Sequence, residues 1–177
     1  MEAVRRGAIW VIDTGSIIQI RRALPVTVRA RVVGHLNDLV ENGSIVYPPE
    51  VVSELERVTE KMTPPDIPFD WAKSNSTNAT RFGHLFEEVR QVLARVEDLV
   101  DPKKVSIGGI DDADPHVVAL GVKLRRDGEE VTIITEDYNS KPTKTSLADA
   151  AGVFRVPCVR FVTFLKTEQI WDGREGT

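Results

Sequence analysis

Apolar residues in this 177-residue chain fall into two patterns, short continuous runs and longer stretches with a helical repeat. Residues 8–12 form an apolar run that stops at Asp13, and residues 131–136 form a second that stops at Asp137. β-branched runs of this length, closed by polar residues, predict strands buried on both faces. Residues 44–47 and 159–162 predict two further strands. Between the strands the repeat changes. Residues 17–20 predict a short helix that ends before Pro25. In residues 26–41, Val28, Val32, Val33, Leu36, Leu39 and Val40 recur at helical spacing. Pro48-Pro49 opens a helix with Val51, Val52, Leu55 and Val58 on its buried face. Residues 81–100 carry Leu85, Val89, Val92, Leu93, Val96 and Leu99 and predict an amphipathic helix. Helices over 115–124, from Ser146 onward and over 164–171 complete the series. Asn42-Gly43, Gly108-Gly109 and Asp127-Gly128 break the chain between elements. Residues 63–80, rich in Pro, Asn, Ser and Thr, predict an exposed excursion anchored by Phe69 and Trp71. Strands alternating with helices predict an α/β fold, a central, mostly parallel sheet between helical layers, as one domain over residues 1–177.

Composition narrows this picture only a little. The length suits one domain with a sizeable core. No window is long and apolar enough to span a membrane. The basic start, Met1 to Arg6, is followed by an apolar run too short for a signal peptide. The single Cys158 forms no internal disulfide, so a cytoplasmic location is expected. The acceptor-like triplets at Asn42, Asn75 and Asn78 are therefore read as loops. A formal net charge of −4 argues against indiscriminate nucleic-acid binding, although it leaves room for a local basic rim.

The acids at element boundaries carry the chemistry. In an open parallel sheet, ligands gather outside the carboxyl ends of the strands. Asp13 and Asp137 follow two buried strands, so both are carried to such an edge. Acids brought together there repel unless a cation lies among them or their pKa values split. Each acid also has a structural explanation. Asp13 suits a helix cap and Asp137 a turn beside Asn139 and Ser140. Asp114-Pro115 is the sequence of an N-cap followed by a first helical residue. On the helix opened by Pro49, position alone does not choose among Glu50, Glu54 and Glu56.

Taken in order, four segments resemble the PIN-domain ribonucleases over nearly the whole chain. The first is Val11-Ile12-Asp13-Thr14-Gly15-Ser16-Ile17-Ile18. The second, Pro48-Pro49-Glu50-Val51-Val52-Ser53-Glu54-Leu55, matches the Pro-x-x-Val-x-x-Glu-Leu helix start and puts the family glutamate at Glu54. The third, Ala113-Asp114-Pro115-His116, has the Asp-Pro form of one subgroup, and the fourth is Thr135-Glu136-Asp137. Gly15 departs from the pattern, where Ser is commoner, and leaves either Ser16 to supply that hydroxyl or the role unfilled. The resemblance implies a PIN-like three-layer α/β/α fold and hydrolysis of RNA phosphodiesters to 5′-phosphate and 3′-hydroxyl ends. It implies Mg²⁺ or Mn²⁺ held by Asp13, Glu54, Asp114 and Asp137, acting as the catalytic acids. Hard oxygen ligands suit those ions. Thr14, Ser16, Thr135 and Asn139 are the residues expected to orient a water or an acid. Many similar proteins are VapC-type toxins, which implies an antitoxin partner and a homodimer.

Positive charge for the substrate would come from Arg21, Arg22, Arg29, Arg31, Lys141 and Lys144, each of which also fits a solvated surface. Six Phe, two Tyr and three Trp give no RNA-stacking signature. His116 is read as a structural helix residue. Two alternatives stand beside the nuclease. Asp13-Thr14-Gly15 matches the aspartic-protease signature, which would require a dimer and a β-rich chain. A catalytically silent PIN-like scaffold would keep the fold without the activity.

Overall fold

The structure is a computed structural model that describes residues 7–59, 66–106, 109–110 and 112–174. Strand β1 (Ile9–Ile12) is buried at every position, as its unbroken apolar run requires. Helices α1 (Thr14–Arg22) and α2 (Val26–Glu41) lead to β2 (Ile45–Val46). Helices α3 (Pro49–Thr59), α4 (Ile67–Ala79) and α5 (Phe86–Arg95) follow. A short antiparallel pair, β3 (Val105–Ser106) and β4 (Gly109–Ile110), precedes α6 (Asp114–Arg126). Then come β5 (Val131–Ile134), α7 (Leu147–Val153), β6 (Cys158–Val159) and α8 (Phe161–Thr167).

The main sheet has the order β2-β1-β5-β6, and all its pairings are parallel. It is the expected α/β architecture, a parallel sheet with helices on both faces. Helix α6 lies against β1 and β5 and packs on α5 and α7. Helices α1, α2 and α3 each pack on α4. Trp10 of β1 meets Phe164 of α8 edge-on at 5.0 Å and donates its indole N–H to Glu168 at 2.8 Å. Among the described residues no helix is long and apolar enough to cross a membrane.

Three boundaries differ from the sequence expectation. The excursion expected at 63–80 is helix α4 over most of its length, while residues 60–65 lie outside the described residues. Pro68 stands in its first turn, where a missing N–H costs nothing. Its buried face consists of Pro68, Trp71, Ala72 and Ala79, too sparse and small to show a helical apolar repeat. Tertiary partners supply the rest. Tyr47, fully buried, donates its hydroxyl to the Ala72 carbonyl at 2.6 Å, and the Trp71 indole donates to Asn37 Oδ1 at 2.9 Å. The helix expected over 81–100 is shorter: α5 stops at Arg95, and a 3₁₀ turn at Glu97–Leu99 seats Leu99 in the core. At the end of the chain the last strand and helix begin earlier than expected. Glu136 accepts a hydrogen bond from the Phe161 N–H at 2.9 Å and starts α8 there. Gln169, with φ 57, ends it in a left-handed turn that usually takes Gly or Asn.

The packing of α4 gives a direct test. Trp71→Ala should lower the unfolding free energy by about 3–5 kcal/mol, read by urea denaturation. Exposed Thr77→Ala on the same helix should stay within about 0.5 kcal/mol of wild type. An equally small loss for Trp71→Ala would show that this segment is not part of the core.

Candidate functional site

The strand order makes the chain leave β1 toward β2 on one side and toward β5 on the other. The crevice at such a reversal, beyond the carboxyl ends of the strands, is where open parallel sheets bind ligands. Asp13 stands there and is only 4% exposed. Its N–H donates to the Ile134 carbonyl at 3.1 Å, which ties the ends of β1 and β5 together. Oδ1 accepts from the Ser16 N–H at 2.6 Å and so caps α1. Oδ2 accepts from the Thr135 hydroxyl at 2.6 Å. The Asp13-Thr14-Gly15 triplet therefore starts a helix in an α/β protein, which removes the ground for the protease alternative.

Glu54 is buried on α3, and its Oε2 accepts from the Thr14 hydroxyl at 2.6 Å, one residue beyond Asp13. Glu50 points elsewhere. Its Oε1 lies 2.6 Å from His84 Nδ1 and 3.3 Å from His116 Nδ1. Glu56 is exposed. Tertiary contacts thus bring Glu54, and not Glu50, to the start of α1 beside Asp13.

Asp114 is the first residue of α6 rather than its cap; Ala113 is the N-cap. Asp112 does the capping work expected of Asp114. It is 1% exposed, and its Oδ1 accepts from the Asp114 N–H at 3.2 Å while Oδ2 accepts from the Asp101 N–H at 3.1 Å. This leaves the Asp114 carboxylate facing the site, where Oδ2 accepts from Lys144 Nζ at 2.7 Å. Asp111 lies outside the described residues. Lys144 also reaches Asp137 Oδ2 at 3.4 Å. That same oxygen accepts from the Leu147 N–H at 2.9 Å, at the start of α7. The Thr135 hydroxyl that donates to Asp13 accepts from the Asp137 N–H at 3.0 Å.

So Asp13, Asp114 and Asp137 are linked through Thr135 and Lys144, and Glu54 is held at the start of α1. The Thr14 and Thr135 hydroxyls hold Glu54 and Asp13, whereas Ser16 reaches Asp13 through its backbone N–H. Asn139, expected beside them, is exposed, and no hydrogen bond joins it to any of the four acids. Lys144, expected as a candidate substrate-facing cation or a solvated surface residue, instead pairs with two of the acids. The other basic residues divide. Arg29 donates to the Arg21 and Leu24 carbonyls, both at 3.0 Å, and Arg21 pairs with Asp66 at 3.8 Å. Arg22, Arg31 and Lys141 are exposed.

Burial governs the electrostatics. It pushes Asp13 up to about 6, against the opposing hydrogen bonds from Thr135 and Ser16. It pushes Asp114 up to about 7, with the charges of Asp112 and Asp13 adding and Lys144 opposing. Burial alone would lower the Lys144 ammonium, but Asp114 and Asp137 outweigh it and hold it protonated. Burial, with the charge of Asp13, pushes the Cys158 thiol up to about 12, so no thiolate forms near neutral pH.

The donors are hard oxygens, which suit Mg²⁺ or Mn²⁺. Among the described residues no group of three or more His, Cys, Asp or Glu comes together in a way that could hold a metal ion. Mg²⁺ does not need three such ligands, since it keeps several waters and takes one or two carboxylates. The Ser16 hydroxyl is fully buried beside Asp13 and adds a polar atom there.

Fold and site together define an α/β protein with an acidic centre at the reversal point of a parallel sheet. The chain belongs to the family described as Domain of unknown function (DUF4411), which it matches over residues 10–171. No curated protein and no solved structure matches it.

A pH dependence follows. Asp13 binds its proton more tightly folded, at about 6, than unfolded near 3.8. The metal-free protein should therefore lose stability as pH rises from about 4 to about 6–7, and level off above that. At pH 8 Asp13→Asn should raise the unfolding free energy, by at most about 3 kcal/mol at about 1.4 kcal/mol per pKa unit. Denaturation in EDTA across that pH range checks both the slope and the gain. A less stable Asp13→Asn protein at pH 8 would mean that the hydrogen bonds of Asp13 outweigh its burial.

Proposed function

We propose that this chain is a Mg²⁺- or Mn²⁺-dependent endoribonuclease that hydrolyses RNA phosphodiester bonds. One observation carries it: Asp13, buried, and Asp114, partly buried, stand at the ligand-binding edge of the sheet, where burial opposes both charges and that of Asp13 adds at Asp114, a free-energy cost that a bound cation relieves. The PIN-like order of the four acidic motifs supports the reaction class.

In this function Asp13, Glu54, Asp114 and Asp137 would hold the cation, which would supply an activated water and neutralise charge on the phosphoryl oxygens. The protein residues fix the frame. Ser16 N–H and Thr135 hold both oxygens of Asp13, and Thr14 fixes Glu54. Hydrolysis breaks the bond from phosphorus to the 3′ oxygen, so the 3′ side leaves as a hydroxyl and the phosphate stays on the 5′ end. The same family likeness supports a cytoplasmic toxin, an antitoxin partner whose segment enters the acidic cleft, and a homodimer.

Cleavage of labelled RNA should require Mg²⁺ or Mn²⁺ and be abolished by Asp13→Asn and by Asp114→Asn. Thr135→Val should lower it by about 10–100-fold, the usual effect of removing a partner that orients a ligand. Metal should also raise the melting temperature, by about 2.7 kcal/mol of stability at about 100 times its dissociation constant. A variant lacking all four acids should lose that response. Wild-type melting unmoved by millimolar Mn²⁺, with no cleavage, would leave the silent scaffold.

A further inference from the structure

The ends of α5, α6 and α7 meet around one surface cavity of about 490 Å³. Arg95, Arg125, Arg126 and Arg155 line it together with Val122 and Phe154. Cations suit helix C-termini, where unsatisfied carbonyls leave partial negative charge. Arg155 is placed there by a left-handed turn, φ 59, that closes α7 and usually takes Gly. Arg126 pairs with Glu88 at 3.0 Å. The Arg125 and Arg155 guanidinium groups make no ion pair among the described residues, and Arg95 lies over the Phe154 ring, 5.0 Å from its centroid.

A second cavity adjoins the first and carries the opposite sign. Arg95 and Val153 border both, and Glu97, Asp98 and Asp149 line the second. Asp98 accepts from the Thr145 hydroxyl at 2.7 Å and Asp149 from the Ser140 hydroxyl. Both donors are neutral, so these bonds balance neither charge. Glu97 makes no ion pair among the described residues. Helix ends account for the arginines, but acids just past the end of α5 oppose its dipole. Val153, 44% exposed, stands on the shared rim. The acidic cavity also borders the turn that carries Lys144. There the Thr145 N–H donates to the Asp98 carbonyl at 2.8 Å, and Lys141 and Lys144 exchange backbone hydrogen bonds at 2.8 and 3.1 Å.

A face with a basic and an acidic groove side by side is complementary to itself. A twofold axis through their boundary lays the basic groove of each copy on the acidic groove of the other, which is an isologous contact. We propose that a second copy of this chain docks here, with Arg125 and Arg155 of each copy against Glu97 and Asp149 of the other and Val153 at the axis. An apolar centre inside a charged rim is the usual anatomy of a protein interface. A polyanion such as RNA fits only one of the two grooves and is repelled by the acids of the other. The homodimer proposed above thereby gains a face from charge order alone, which stands whether or not the chain cleaves RNA. The second copy seats beside Thr145, next to the lysine that holds Asp114.

Sedimentation velocity on the full chain reads the association. Wild type should be a dimer that weakens between about 0.1 M and about 1 M NaCl, as the screening length falls from about 10 Å to about 3 Å. Arg125→Glu with Arg155→Glu makes the face acidic throughout, and Glu97→Arg with Asp149→Arg makes it basic throughout. Each double variant should self-associate at least about 100-fold more weakly, because like charges then meet across the axis. Mixed in equal amounts, the two should form a heterodimer. A monomeric wild type would overturn the proposal and, if it cleaves RNA, leave the nuclease standing. Double variants that dimerise like wild type, or a mixture that stays monomeric, would overturn it too. Circular dichroism checks folding. If either double variant fails to fold, Val153→Glu on the exposed rim takes its place, and dimerisation unchanged by it would overturn the interface.

Discussion

The carboxylate of Asp13 joins three parts of the molecule, and the site depends on those joints. One oxygen starts α1 through the Ser16 N–H, and the other holds Thr135 at the end of β5. Its own N–H bonds the last carbonyl of β5. These bonds fix the two central strands in register at the edge where they diverge. The same group is almost wholly buried, and burial opposes its charge. A capping Asp on a surface helix stays solvated and incurs no such cost. Asp13 retains the cost because it sits between the core and the crevice, so here fold and site share an atom.

How far the sequence could be read follows from where the information lies. The strand ends were legible because four-residue apolar runs at β1 and β5 stop abruptly at polar residues. That put Asp13 and Asp137 at one edge before any coordinates. Choosing Glu54 over Glu50 was not possible from helix periodicity. Thr14 decides it from one side, and His84 and His116 from the other, all more than thirty residues away in sequence. Asp114 read as a cap because Asp-Pro carries that pattern, yet Asp112, two residues earlier, reaches the backbone first. Lys144 was legible as a cation near Asp137, but its pairing with Asp114, thirty residues away, comes only from its anchored turn. Helix α4 was missed for another reason. Its stability comes from what packs on it, and its own residues carry little helical signal.

The acids differ in how strongly the protein holds them. Asp137 is half structural, since one oxygen is committed to the start of α7 and to Lys144. Asp114 is freed from such duty by Asp112. Glu54 has its Thr14 anchor within the same crevice. All four lie inside residues 10–171, the stretch that matches the family.

Getting Asp114 to the crevice requires α6 to ride close to the sheet, and one residue without a side chain allows it. A Cβ at Gly121 would come 2.9 Å from Ile133 Cδ1 and 3.2 Å from Val156 Cγ1. Real side chains do not tolerate the first distance without movement, so a larger residue would press α6 away from β5 or force Ile133 to repack. Glycine in a helix interior weakens that helix by about 1 kcal/mol against alanine. The position trades local stability for contact distance. That distance lets the first turn of α6 meet the Lys144 turn beyond the end of β5. The acidic centre is thus set from inside the core as much as by the residues that line it.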